Sequence, residues 1–182
     1  LLSDANSVEF SVRDERQAAS MCYTSGTTGN PKGVVYSHRS TYLHTLSTMS
    51  ADVLGIRESD VILPVVPMFH VNSWGLQHAA VAVGATLVNP GPNLQAEPIA
   101  QLLESEKVTI TAGVPTIWMG VLPELAGRHL PDLRAIACGG SAVPKSLSEE
   151  FRMKVGLPLL QAWGMTETSP LAAIAHVKSS DR

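Results

Sequence analysis

Charge is scarce in this chain: Asp, Glu, Lys and Arg together make up 16% of its 182 residues, and the formal net charge is −3. So slight an imbalance gives no case for the basic footprint that a nucleic-acid binder or an anionic-membrane binder needs. Cysteine is almost missing. Cys22 and Cys138 each stand alone on an apolar run, without metal-ligand spacing. They read as two buried thiols in a reducing compartment, which points to the cytoplasm rather than to a disulfide framework. A long hydrophobic run is missing as well. The stretch from Leu76 to Val88 is too short to cross a bilayer and is broken by Gln77, His78 and Gly84. Leu1-Leu2 passes at once into polar and acidic residues, so no signal peptide is visible, and the absent initiator methionine reads as an excised piece. What remains is 45% apolar, enough for one sizeable core.

The densest chemistry lies in Tyr23-Thr24-Ser25-Gly26-Thr27-Thr28-Gly29-Asn30-Pro31-Lys32-Gly33. Glycines let the backbone turn sharply and approach a ligand closely, so that successive amide N–H groups face anionic oxygens. Hydroxyls add neutral donors, and the lysine adds a mobile charge. An apolar run precedes the loop and another, Val34-Val35-Tyr36, follows it. A phosphate loop fits better here than a surface turn. It is not the Walker loop, because Lys32 is followed by Gly33 rather than Ser or Thr, and Pro31 stands where the second glycine would be.

Elsewhere strands and helices alternate. The first 17 residues are polar and read as a linker or lead-in. A strand near Ala19–Thr24 feeds the glycine loop. A helix is expected from about His38 to Leu54, capped by Ser37, with Leu43, Leu46, Met49 or Ser50, and Val53 on one face. Strands are expected at Val61–Val66, Ala85–Val88, Val108–Thr111, Arg134–Cys138, Leu157–Ala162 and Leu171–Ala175. Helices are expected over Asn72–Val83, from Pro98, over Pro115–Leu125 (kinked or shortened by Pro123) and over Pro144–Val155. This alternation implies an α/β fold: a largely parallel sheet with helices on both faces and functional loops at strand C-terminal ends.

Two further segments join the glycine loop: Gly139-Gly140-Ser141-Ala142-Val143-Pro144 and Gln161-Ala162-Trp163-Gly164-Met165-Thr166-Glu167-Thr168. The three, in this order, resemble the signatures of the adenylate-forming (AMP-binding) superfamily, which includes acyl-CoA synthetases, luciferases and peptide-synthetase adenylation domains. The resemblance runs from Tyr23 to Thr168. It makes residues 18–182 a partial adenylation domain, the central part of an acyl-CoA synthetase N-terminal domain.

The resemblance implies ATP and Mg²⁺ as cofactors and CoA as co-substrate. It places Thr24, Ser25, Gly26, Thr27, Thr28, Gly29 and Lys32 around the β- and γ-phosphates. It makes Gly139, Gly140, Ser141 and Ala142 one wall of an adenine slot, whose other face Trp163 covers between Ala162 and Gly164-Met165. Trp163 stands where many relatives have tyrosine, so stacking survives without the hydroxyl. Thr166 would donate to the α-phosphate, and Glu167 would hold the metal.

The segment Val66-Pro67-Met68-Phe69-His70-Val71-Asn72-Ser73-Trp74-Gly75 resembles the gate region of medium- and long-chain fatty acyl-CoA synthetases. His70 would then lie near the acyl carboxylate, Trp74 would close the tunnel, and Val71, Gly113 and Val114 would line it. The implied function is activation of a fatty acid to acyl-AMP and then acyl-CoA. An aryl- or other carboxylic acid–CoA ligase and a nucleotide-binding module without turnover are the alternatives. Peripheral membrane contact and a homodimer are left open. The family's ribose-binding and hinge motifs and its C-terminal domain, with the adenylation lysine, are not found in these residues, so this piece alone is expected to be inactive.

Overall fold

A computed structural model describes residues 11–24 and 29–176. Its strands are β1 (Ala18–Thr24), β2 (Lys32–Ser37), β3 (Val61–Pro64), β4 (Thr86–Leu87), β5 (Ile110–Gly113), β6 (Ala135–Cys138), β7 (Leu160–Gly164) and β8 (Leu171–Ile174). The helices are α1 (His38–Met49), α2 (Leu76–Val83), α3 (Ala96–Ser105), α4 (Pro115–Glu124) and α5 (Lys145–Lys154). Six strands form one sheet in the order β4-β3-β5-β6-β7-β8, parallel throughout except for the antiparallel β7–β8 pair.

Alternation along the central strands builds a core on each face of the sheet. Leu63, Val65, Ile136 and Cys138 point to one side, where α3, α4 and α5 cover them with Ile99, Leu103, Trp118, Val121 and Phe151. The Trp118 and Phe151 rings meet edge to face at 6.3 Å. Ile62, Ile110, Ala112, Ala135 and Ala137 point to the other side, against Leu54, Ile56 and the α2 residues Leu76, Ala79 and Ala80. The expected α/β class, with helices on both faces, is what the chain forms.

At the N-terminal edge of the sheet, Arg134 ties three segments together. Its guanidinium donates to Asp60 at 2.6 and 2.9 Å and to the carbonyls of Leu54 and Gly55 at 3.0 and 2.9 Å. The Thr109 hydroxyl gives the same carboxylate another hydrogen bond, at 2.7 Å. Burial pushes the Asp60 carboxyl up, but Arg134, Thr109 and the Arg57 amide outweigh it and hold the group below its ordinary value.

Three expectations need correction. The first concerns β1, which is not a strand of the main sheet. It pairs antiparallel with β2, Thr24 opposite Lys32, in a separate two-stranded sheet, and the glycine-loop segment lies between these two strands in sequence. Its residues Ser25, Gly26, Thr27 and Thr28 lie outside the described part.

The second concerns α1, which is capped by Ser37 as expected, the hydroxyl accepting from the Ser40 amide at 3.1 Å, but stops at Met49. It buries His44, Thr45 and Thr48 and leaves Leu43 and Leu46 54% and 44% exposed, so of the expected face only Met49 and, beyond the helix, Val53 pack against the core, partly buried. The cause is its seat on α2: Gly75, just before α2, has no side chain, and a Cβ there would lie 2.6 Å from His44 Nδ1. The polar face is the one that fits.

The third correction is the helix expected from Asn72. Val71, Asn72, Ser73 and Trp74 all have positive φ, between 45° and 55°, so they wind one left-handed turn before α2 begins at Leu76. Apolar spacing is blind to handedness. Each such L-residue costs about 1–2 kcal/mol, so the surroundings must hold the turn. They do: the buried Ser73 hydroxyl donates to the Val66 carbonyl at 2.6 Å, and Asn72 Nδ2 donates to Ser20 Oγ at 2.8 Å.

The polar lead-in is attached where it is described. The amides of His38 and Arg39 donate to the carbonyls of Gln17 and Glu15, at 3.1 and 2.8 Å. Both cysteines are buried and free, as their apolar surroundings suggested.

Candidate active site

A cavity of about 270 Å³ opens at the C-terminal edge of the parallel strands, the place where loops of such sheets gather ligands. Small residues make the room. Ala112 on β5 and Ala137 on β6 sit side by side in register, and Ala162 follows on β7; all three line the cavity. Leu54 and Leu76, from the core under the sheet, complete its apolar part.

Twelve of the residues expected at the site meet here. Gly139 and Gly140 follow β6, and Ala162, Trp163 and Gly164 end β7. Gly139 cannot carry a side chain, because a Cβ would lie 2.5 Å from the Ala162 carbonyl oxygen. That close approach keeps one wall flat. Trp163 also lines the cavity and is 56% exposed, a large apolar ring left open.

Met165, Thr166 and Glu167 extend the lining into a short 3-10 turn, Thr166–Thr168. From β1 comes Thr24 alone, and from the left-handed turn come His70, Val71 and Trp74. The turn thus works as wall material, which explains why its strain is retained at this place.

The remaining expected residues among those described are not on the lining. Gly29 and Lys32 are exposed on the hairpin. Lys32 sits opposite Thr24 in register, which keeps its backbone beside the cavity rim. Ser141 and Ala142 lie past the wall, exposed to solvent. Gly113 and Val114 lie behind it: Trp118 packs on Gly113 and donates to its carbonyl at 3.2 Å, and a Cβ on Gly140 would meet Val114.

Tyr36 was not singled out by its motif and belongs to this site. It is buried on the inner side of β2, and its hydroxyl donates to the Thr166 carbonyl at 2.5 Å. Burial first, then the nearby Cys22 and Glu167, push the phenol up to about 12, so it stays a donor at neutral pH. The alternation Val34-Val35-Tyr36 could have marked Tyr36 as inward; its partner 130 residues away could not be read.

Glu167 supplies one carboxylate at the rim, and among the described residues no group of three metal-binding side chains exists. One carboxylate fits a magnesium ion held mainly by phosphate oxygens and water, not a metal cage built by the protein. The site therefore offers a flat backbone wall, an exposed indole, hydroxyl donors, one carboxylate and an apolar recess.

The chain matches the AMP-binding enzyme family over residues 3–182. It belongs to that family. Among curated relatives, it is 52% identical over 159 residues to a medium-chain-fatty-acid–CoA ligase of Ectopseudomonas oleovorans, covering 86% of this chain and 29% of that one. It is 50% identical over 165 residues to a 3-methylmercaptopropionyl-CoA ligase of Ruegeria lacuscaerulensis, covering 90% and 31%. Among solved structures, O-succinylbenzoate coenzyme A synthetase of Bacillus subtilis, in complex with ATP and magnesium ion, superposes with a TM-score of 0.80 at 30% identity, covering 94% of this chain and 36% of that one. The chain thus spans about three-tenths of the length of these curated relatives. In this AMP-binding fold, the three signature segments border one cavity.

Proposed function

We propose that the protein activates a fatty acid with ATP. The carboxylate oxygen attacks the ATP α-phosphorus, the bond to the β-phosphate oxygen breaks, and acyl-AMP and pyrophosphate form. The CoA thiolate then attacks the acyl carbon and AMP leaves. One observation carries this reading: a single cavity joins the flat Gly139–Gly140 wall and Trp163, suited to a base, to Thr24, Thr166 and Glu167, suited to phosphate, and to the apolar recess of Leu54, Leu76, Ala112 and Ala137.

In this reading Trp163 stacks on adenine, with Gly139 and Gly140 behind it. Backbone amides of the glycine loop, with Lys32, stabilise the charge that develops on departing pyrophosphate. Thr166 donates to the α-phosphate. Glu167 would hold Mg²⁺, which neutralises charge on the phosphate oxygens. His70 orients the acyl carboxylate, and Trp74 and Val71 border the acyl path. Little covalent help is needed, because in-line placement and charge stabilisation supply most of the rate. The two buried free thiols support a cytoplasmic setting. No helix among the described residues is long and apolar enough to cross a membrane.

The relative that acts on 3-methylmercaptopropionate supports a second reading, a short sulfur-containing acid as substrate. Pyrophosphate release by the full-length protein with ATP, magnesium and a panel of acids tests both. Straight-chain fatty acids should give the highest kcat/KM. If aromatic or methylthio acids outperform them, the fatty-acid reading fails.

A further inference from the structure

Tyr36 links two parts of the cavity rim that are far apart in sequence. It lies on β2, four residues after Lys32, and β2 is paired along its whole length with β1, which delivers Thr24 to the cavity. Its hydroxyl reaches the carbonyl of Thr166, the first residue of the 3-10 turn that carries Glu167. Among the described residues, the other hydrogen bonds of that turn are local: the Met165 amide donates to Pro170 O at 3.1 Å and to Thr168 Oγ1 at 2.8 Å, and the Thr168 amide donates to Met165 O at 3.0 Å. The Thr168 hydroxyl also bonds within the segment, to the carbonyls of Met165 and Pro170. These bonds close the turn on itself and none of them reaches the hairpin, so a turn without the Tyr36 bond would be free both to shift and to open.

We propose that Tyr36 is a positioning residue: its bond to the Thr166 carbonyl sets the Thr166–Glu167 turn at a fixed place relative to the hairpin that carries the glycine loop. Thr166 and Glu167 on one side, and Thr24 and Lys32 on the other, must grip the same polyphosphate chain. A buried phenol is a stiff strut for this purpose. Its ring is packed, only its hydroxyl reaches the carbonyl, and the strand that bears it cannot move without the hairpin. The kinetic consequence rests on the function proposed above; the positioning itself does not.

The test is Tyr36→Phe in the full-length protein, which removes one oxygen and keeps the ring. Hydrogen–deuterium exchange of the free protein should show faster exchange at the Met165 and Thr168 amides, with the β5 and β6 amides unchanged. In the acid-activation assay, KM for Mg·ATP and the midpoint for free magnesium should rise about three- to tenfold, the size of one hydrogen bond. KM for the acid should stay the same. In a Glu167→Gln background, Tyr36→Phe should no longer shift the magnesium midpoint. Unchanged exchange at Met165 and Thr168 overturns the proposal, as does an equal loss for ATP and acid. Should the unsubstituted protein form no pyrophosphate with any acid, the functional reading fails, and the exchange experiment still decides the role of Tyr36.

Discussion

Asn72 donates a 2.8 Å hydrogen bond to Ser20 from within a left-handed turn, and accepts one from the Cys22 thiol at 3.5 Å. One side chain thus joins the inner face of β1 to the cavity wall formed by Val71 and Trp74. Asparagine suits the place twice over, since it tolerates positive φ better than most residues and carries both a donor and an acceptor.

Replacing Asn72 separates these two contributions. Asn72→Ala loses the side-chain bonds and the tolerance for left-handed backbone, and should destabilise the fold by about 2–3 kcal/mol in urea denaturation. Asn72→Gly loses only the bonds and should cost less, even after its larger backbone entropy. Equal losses in the two variants would mean that the backbone conformation carries no strain.

His44 should make the fold sensitive to mild acid. Burial first, and then the neighbouring His78, lower its value from 6.5 to about 4. The unfolded chain therefore binds a proton between these values that the folded chain refuses. Stability should fall as pH drops from about 6.5 towards 4, by about 3 kcal/mol from this group. His78, also lowered by burial, acts in the same direction. Urea midpoints across this range check it, and a flat profile would contradict a buried neutral imidazole.

The Asp60–Arg134 pair should matter for stability and not for chemistry, since it lies at the opposite edge of the sheet from the cavity. Asp60 is only 2% exposed, and removing one partner leaves the other buried without its counter-charge. Arg134→Met should cost about 3–5 kcal/mol. Because the Asp60 carboxyl is held below its ordinary 3.8, its contribution is present above that value and is lost as pH falls through the lower folded one. In Arg134→Met, the acid-induced loss below pH 3.8 should shrink.

Ala137 and Ala112 should set how much acyl chain the recess accepts. Ala137→Val adds two methyl groups where the strands leave space, and should lower kcat/KM for the longest acids accepted by about tenfold while sparing shorter ones. A uniform loss across chain lengths would place the acyl path elsewhere.

Much of this architecture could be read from residue order. The parallel sheet follows from strands such as Val61–Pro64 and Ala135–Cys138 alternating with amphipathic segments, and the Ser37 cap follows from its position before the helix. The hidden parts depend on contacts between distant residues. Leu43 and Leu46 have apolar spacing yet face outward, because the opposite face fits Gly75. Val71 to Trp74 look helical yet wind the other way, because Ser20 and Val66 hold them there. The site was legible where backbone chemistry leaves a motif, at Gly139 and at Thr166-Glu167, and illegible where a single side chain such as Tyr36 bridges two motifs.

If one cavity binds nucleotide and acid together for adenylation, the first half-reaction should run in reverse without CoA. Exchange of labelled pyrophosphate into ATP, measured with the full-length protein, magnesium and no CoA, tests it most directly. Label should enter ATP only when a fatty acid is present, and Lys32→Ala or Glu167→Gln should reduce the rate at least tenfold, as expected for a lost charge-assisted contact. Acid-independent exchange, or none with any carboxylic acid, would contradict the account.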